Sequence, residues 1–373
     1  MKQIDRSTIH PLFLNLLSAA IWDKPANSAL FEKLSNDTWR EIVDIAREQS
    51  VSALIADKAL SLPKESLPPR ALSLQFLSMI KQTEDLNNKM IHVLSDLVKE
   101  YEEASFPFCL LKGLAAGANY PSPLLRNPGD IDLFLYQKGD FERATEWLKG
   151  RGYEVKHGDR IHNKFIKDDI WIENHSRITY FNNKKYDAQF KECEKELVDK
   201  NNFATLQIDK FMVKQLPVEM NAFYIFQHMF HHFVHDGVGF KQFCDWILFL
   251  SKHKDVIDIP AFIAIAKSYS LLYPMRVFAL IAIKHLDAPE DIFPFEIIQN
   301  DKHADWIISD IFHGGNFGFH RPGEKRPKGK WGNLWFSYKT IIKRSKQFGE
   351  LSPEHSKRLP INLLAYRLES LFK

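Results

Sequence analysis

With 373 residues and 45% hydrophobic content, the chain is too long for one ordinary domain and apolar enough to bury a substantial core, so two or three structural units are expected. No run of about eighteen uncharged apolar residues occurs, Pro274 and Arg276 break the nearest one, and the opening MKQIDRSTIH lacks a signal peptide's basic and apolar stretches, so a cytoplasmic protein without a membrane span is expected. The net charge of +3 divides into +9 from Arg321 onward and −6 before it, while Cys109, Cys193 and Cys244 stand too far apart for a disulfide framework or zinc ribbon and read as reduced core residues.

Residues 1–103 read as a helical region. Apolar positions recur three and four apart in HPLFLNLLSAAIW (10–22), TWREIVDIAREQSVSALIADKAL (38–60) and DLNNKMIHVLSDLVKEY (85–101), the spacing of a helix with one buried face. Pro63, Pro68 and Pro69 mark a linker between the second and third segments.

The period changes over 104–215. FPFCLL (106–111) is a short apolar run that predicts a buried strand, and LAAGANY suits a short helix after it. The turn-rich PSPLLRNPGD leads into a strand DIDLFL, then a helix over FERATEWLKG ending by Gly152, then candidate strands YEVKH, NKFIKD and IWIENHSRI. That order predicts a small mixed sheet with helices against it.

From 216 to 373 the helical period returns in VEMNAFYIFQHMFHHFVHD, FKQFCDWILFLSKH, PAFIAIAKSYSLL and PMRVFALIAIKHL. Gly314 to Gly332, rich in Gly, Pro and Lys, reads as a loop. The basic tail beyond Arg321 reads as a solvated helix behind a basic loop. Its aromatics, Trp331, Trp335, Phe336 and Tyr338, fall in one short segment, unlike the interleaved platforms of single-strand binders. The phenylalanines recur at helical spacing and read as core.

Strand alternation makes DIDLFL the chemically informative element. Asp130 and Asp132 share one face, and Ile131, Leu133 and Leu135 share the other. Two carboxylates side by side repel unless a cation lies between them, and hard divalent ions with oxygen ligands suit that place. A third acid, Glu173, shares a strand face with Trp171 and His175. Three carboxylates on two metals is the arrangement that in-line phosphoryl chemistry uses. Upstream, Lys112 and Gly113 stand where a strand turns into a helix, a junction at which backbone amides and a helix N-terminus can meet a phosphate.

The run LLKGLAAGANYPSPLLRNPGDIDLFL (110–135) resembles the signature of the uncharacterised bacterial nucleotidyltransferase family, part of the DNA polymerase beta-like superfamily. In that family a Lys-Gly replaces the superfamily's usual Gly-Ser, and an Arg precedes a Gly-Asp-Ile-Asp strand. IENHSRI (172–178) is similar to its acid-x-His strand. HMFHHFVHDGVGFKQFCDWILFL (228–250) is similar to its histidine-bearing segment with an Asp-Trp pair. The resemblance implies an α+β fold, with a small mixed-sheet polymerase-beta-like core between N-terminal and C-terminal helical regions. It implies Asp130, Asp132 and Glu173 as catalytic metal ligands for two Mg²⁺, with Mn²⁺ able to substitute. Lys112, Gly113, Arg126 and Gly129 would bind the NTP, ATP among the candidates. Glu173 stands where the superfamily commonly has Asp.

The implied reaction moves a nucleoside monophosphate from an NTP to an acceptor hydroxyl with release of pyrophosphate, and Glu173 is a candidate for taking the hydroxyl proton. A small-molecule or protein acceptor is preferred over nucleic acid. The alternative is a non-catalytic member that binds nucleotide or a partner. His228, His231, His232 and His235 fall at helical spacing and could hold a transition metal, as in a hydrolase, but they match no HExxH pattern. Their helix reads instead as lining the cleft with a histidine near the substrate, and His175, His228 and His232 are the cleft-lining candidates.

Overall fold

In a computed structural model that describes residues 6–158, 160–320, 327 and 329–364, the fold is α+β. Four helices come first: α1 (His10–Ile21), α2 (Asn36–Glu48), α3 (Ser52–Leu60) and α4 (Arg70–Glu103). The α/β part follows with β1 (Phe108–Leu110), α5 (Leu114–Gly117), β2 (Ile131–Leu135), α6 (Asp140–Gly150), β3 (Lys156–His157), β4 (His162–Lys167), β5 (Ile170–His175), α7 (Lys184–Asp199), β6 (Ala204–Ile208) and β7 (Phe211–Gln215). Helices then return as α8 (Val218–His235), α9 (Phe240–His253), α10 (Ile259–Ser268), α11 (Leu272–Leu286), α12 (Lys302–Gly314) and α13 (Lys330–Phe348).

Local chemistry explains where several elements stop. Ser35 caps α2 by accepting from the Thr38 amide, as short polar side chains do at helix starts. The single helix expected over 38–60 is two, because Ser50 takes a left-handed φ of 55° between them. The helix expected from residue 85 begins instead at Arg70, right after the prolines, and leaves Leu74 and Leu77 exposed on its first half. α6 ends before Gly152, whose φ of +87° suits a residue without a Cβ. The sequence expectations did not include α7, the β6–β7 hairpin or α12.

The seven strands run in the order β3-β4-β5-β2-β1-β7-β6. β2 pairs parallel with β5 and β1 parallel with β7, and the other neighbours are antiparallel. One sheet face, with Leu110, Ile131, Leu133, Phe165 and Ile172, packs on Met90, Val93, Leu94, Leu97 and Tyr101 of α4 and on Ala144 and Leu148 of α6. The opposite face looks toward α8 and α9. Cys109 and Phe134 there join a larger apolar core that the early and late helices share. Phe13 of α1, for instance, lies 5.5 Å from Phe240 and 5.8 Å from Phe312, centroid to centroid.

The basic tail is not all solvated. Arg344 of α13 is 2% exposed, bonds Asp310 through two nitrogens at 2.9 Å and donates to the Phe233 carbonyl. Residues 321–326, 328 and 365–373 of that tail lie outside the described residues, and with them Arg321. Cys109 and Cys244 are buried and Cys193 is partly buried, all three as free thiols. No described helix is long and apolar enough to cross a membrane.

Candidate active site

The register of three strands brings the acids together. Asp132 on β2 pairs with Glu173 on β5, and Glu173 pairs in turn with Lys164 on β4. Side chains at directly paired positions of adjacent strands stand on the same face, so two carboxylates and a lysine form one row across the sheet. Asp130 precedes β2 on the same side. The ligand atoms of Asp130, Asp132 and Glu173 all lie within 4.8 Å of one another.

β1 continues the row through a tight turn. The Leu111 amide donates to the Asp132 carbonyl at 3.0 Å, and the chain then reverses at Gly113, whose φ is +52°. A Cβ on Gly113 would stand 3.0 Å from the Asp130 carbonyl oxygen, so both backbone conformation and space call for glycine. That turn sets the Lys112 ammonium 3.0 Å from Asp132 Oδ1. The helix after it, α5, is only four residues long and carries little of the dipole expected at this junction, since few peptide units align in it.

Asp132 is 1% exposed, yet its charge is retained. Burial opposes ionisation, and Lys112 together with a 2.9 Å contact from His175 Nε2 outweighs it and holds the carboxyl below its usual range. Oδ1 takes both contacts; Oδ2 is buried with no hydrogen-bond partner. The charge of Asp132, and then burial, pushes the Asp130 carboxyl up.

Glu173 is differently placed. Lys164 bonds its Oε1, and His175 and His162 each stand 3.5 Å from its Oε2. Against the cost of burial, His175, Lys112 and Lys164 hold this carboxyl well below the usual carboxylate range. His175 is raised in turn, because its bonds to Asp132 and Glu173 outweigh its burial.

The helices close the far side. A cavity of about 360 Å³ lies between the carboxylate row and α8 and α9, lined among others by Tyr224, His228, His231, His232 and Lys241. Burial and then Lys112 keep His228 neutral, with its pKa well below the usual histidine value. Burial and then His231 push His232 down to about 3. Gly129 lines the same cavity, and a Cβ there would be 3.9 Å from Lys241 Nζ.

Arg126 lines the cavity but is engaged elsewhere. Its Nε and Nη2 each donate to Asp245 of α9 at 2.7 Å, and the Tyr120 hydroxyl adds a bond to the same carboxylate at 2.8 Å. Sequence reasoning passed over Lys164, His162, Tyr224 and Lys241. Lys164 and His162 alternate on a strand facing Glu173, a period-two signal that was legible. Tyr224 and Lys241 had no local signal, because only the packing of α8 and α9 on the sheet brings them here.

Comparison with known proteins adds three findings. A family model described as uncharacterised nucleotidyltransferase matches residues 35–287, more than half of the chain. Among solved structures, the chain is similar to an antigenic nucleotidyltransferase-like protein from Paracoccidioides brasiliensis at 14% identity and a TM-score of 0.32, over 54% of this chain and 93% of that one. A search of curated proteins gives no match.

Proposed function

Since the chain belongs to the uncharacterised nucleotidyltransferase family, we propose that it moves a nucleoside monophosphate from an NTP to an acceptor hydroxyl and releases pyrophosphate. The observation that carries this reading is the convergence of the Asp130, Asp132 and Glu173 carboxylates, together with Asp132 Oδ2, a buried carboxylate oxygen with no hydrogen bond. Oxygens that share one Mg²⁺ lie roughly 3 to 4.2 Å apart, given metal–oxygen distances of about 2.1 Å in an octahedron. Three oxygens within 4.8 Å of one another need little closure to reach that. The residues therefore fit the metal, with Asp130 and Asp132 as the principal ligands and Glu173 as the third, for one or two ions. Bound there, Mg²⁺ or Mn²⁺ would neutralise triphosphate charge and lower the pKa of the attacking hydroxyl.

The chain's own groups do the rest. The acceptor oxygen forms a bond to the α-phosphorus, the bond to the bridging oxygen breaks, and pyrophosphate leaves with that electron pair. Lys112 and Lys241 supply positive charge beside the phosphates, and the backbone at Gly113 and Gly129 leaves room for them. Arg126, held by Asp245, braces the loop that carries Gly129 and Asp130. Glu173, stabilised as an anion by Lys164 and its two histidines, is a poor proton acceptor, and the hydroxyl proton, made more acidic by the cation, would pass to water. His228 and His232, neutral imidazoles, offer hydrogen bonds to base or acceptor without adding charge. A small-molecule or protein acceptor is preferred over nucleic acid.

One observation favours the non-catalytic alternative: both oxygens of Glu173 are already engaged. The deciding experiment incubates the full chain with each NTP and Mg²⁺ or Mn²⁺, follows pyrophosphate, and weighs the products, the protein included, by mass spectrometry. Metal-dependent pyrophosphate release with a nucleoside monophosphate added to an acceptor is expected. Metal-dependent NTP binding without pyrophosphate release across the acceptor panel would replace catalysis with the binding role.

A further inference from the structure

The segment 315–320 follows α12 and lies beyond residues 35–287, the stretch that the family model matches. It is tied to the early helices and to α9. Asn316 accepts from Gln242 Nε2 at 2.7 Å and donates to Ser50 Oγ at 3.0 Å. At Gly315, whose φ is +59°, a Cβ would stand 2.8 Å from the Glu48 carbonyl oxygen, so glycine alone lets the chain pass so close. Held in this way, Phe317 adopts φ 56° and ψ 23°, a left-handed conformation in which a bulky side chain crowds its own carbonyl. Burial in a core could offset that strain. Phe317 instead joins neither apolar core, is partly exposed, and lines the cavity at the carboxylates. Strain kept at a cavity wall is the mark of a side chain held for a ligand.

The rings that lead to Phe317 run away from the charged end of the cavity. Tyr224, His228 and His232 fall four residues apart on one face of α8, a rise of roughly 12 Å over eight residues. Their ring centroids are 6.0 and 4.6 Å apart, and Phe317 continues the row 4.8 Å from His232. After burial, Lys112 is the strongest influence on Tyr224 and on His228, whereas His232 feels His231 ahead of it. The row thus goes from the lysine and the carboxylates to a neutral imidazole and a phenyl ring. Gln242, bonded to Asn316, also lines the cavity. It is 7% exposed, and its Oε1 is buried with no hydrogen bond, a cost that a ligand bearing an N–H would remove.

We infer that Phe317 is the platform on which the nucleobase of the NTP stacks, with Gln242 at the polar edge of the base. This rests on the transfer reading above, which sets the triphosphate beside Lys112 and Lys241. The rise along α8 leaves room for a ribose between those phosphates and the ring. An aromatic ring beside a neutral imidazole suits a planar, uncharged group, which the base is and the triphosphate is not. Every base has a π-face and an N–H on its pairing edge, so the ring and the amide oxygen recognise a base as such without choosing among the four. The stack forms no bond in the transfer; it fixes the nucleoside so that the α-phosphorus meets the carboxylate-bound metal.

The test is calorimetric titration of the full chain, in Mg²⁺, with the α,β-methylene analogues of ATP, GTP, CTP and UTP and, separately, with inorganic tripolyphosphate. Phe317→Ala should weaken the best-bound analogue at least about fivefold, the loss of one stacked base, and leave tripolyphosphate within about twofold. Phe317→Trp, which keeps an aromatic face, should hold the analogue within about threefold of the parent. If Phe317→Ala does not fold, Phe317→Gly removes the same ring while suiting the left-handed backbone and gives the same readout. Analogue affinity that loss of the ring leaves unchanged overturns the proposal. So does an equal loss for analogue and tripolyphosphate, because the ring is then a wall of the cavity and not a platform for the base. Tripolyphosphate binding to a parent that takes none of the analogues overturns it as well. Failure of the parent to bind either kind of ligand counts against the transfer reading itself, and the base platform falls with it.

Discussion

Asp132 at the carboxylate end of β2 and Asp245 on α9 are both almost fully buried, at 1% and 6% exposure, yet their surroundings differ in kind. Both oxygens of Asp245 are bonded, by the two nitrogens of Arg126 and by Tyr120. Asp132 shares one oxygen between Lys112 and His175, leaves the other without a partner, and is crowded by two further acids. A buried charge with every lone pair satisfied can serve as architecture. A buried charge that keeps an unpartnered oxygen next to like charges is costly unless a cation or substrate completes it. The comparison separates a brace from a proposed reactive centre although both are aspartates.

The largest expected effect breaks the comparison at its reactive side. Asp132→Asn should lower pyrophosphate release by at least about 10⁴-fold, about 5.4 kcal/mol of transition-state stabilisation. Its thermal midpoint should fall modestly, because Lys112 and His175 outweigh burial and the repulsion from Glu173 in holding Asp132 ionised. A variant that stays active but melts several degrees lower would make Asp132 the brace instead. Asp245→Ala should do the opposite and cost about 3 to 5 kcal/mol in denaturant unfolding, since it leaves the Arg126 charge buried and unpaired. Arg126→Met combined with Asp245→Leu should recover most of that loss; a single variant within about 1 kcal/mol of the parent would refute the bracing role.

The smallest effect sharpens the comparison at a group with neither arrangement. Burial, and then the neighbouring Arg126, pulls the Lys241 amine down to about 8. The folded protein then binds fewer protons than the unfolded chain between about 8 and the unfolded lysine value of about 10.4. Stability should therefore rise with pH across that window, with the full cost present below it. Lys241→Met should flatten that rise and stabilise the protein by about 1 to 2 kcal/mol at pH 7. It should also weaken NTP binding. Denaturant midpoints between pH 7 and 10.5 provide the check; an unchanged slope would show that Lys241 is not the titrating group.

Local pattern was enough for elements whose neighbours in sequence are also their neighbours in space. The period of 240–253 matches α9, and the alternation of DIDLFL separates the acids from Ile131 and Leu133 as the sheet does. The Lys-Gly turn was legible too, although its physical reason, the close approach of Gly113 to the Asp130 carbonyl, was not. The β6–β7 hairpin was missed. Its strands alternate only partly, and its turn at Asp209 adopts a left-handed φ without a glycine to announce it.

By itself, then, the sequence determined which residues could carry charge onto one strand face, where several of the helices run and which family pattern the chain follows, because periodicity and turn chemistry act over a few residues. Only tertiary structure decided what those charges meet. Arg126 finds Asp245 119 residues away, Glu173 finds Lys164 and His162 through strand register, and Lys241 enters the cavity because α9 packs over the sheet. Those pairings set which carboxylate is satisfied and which is left open, and they depend on distances between segments that no local pattern encodes.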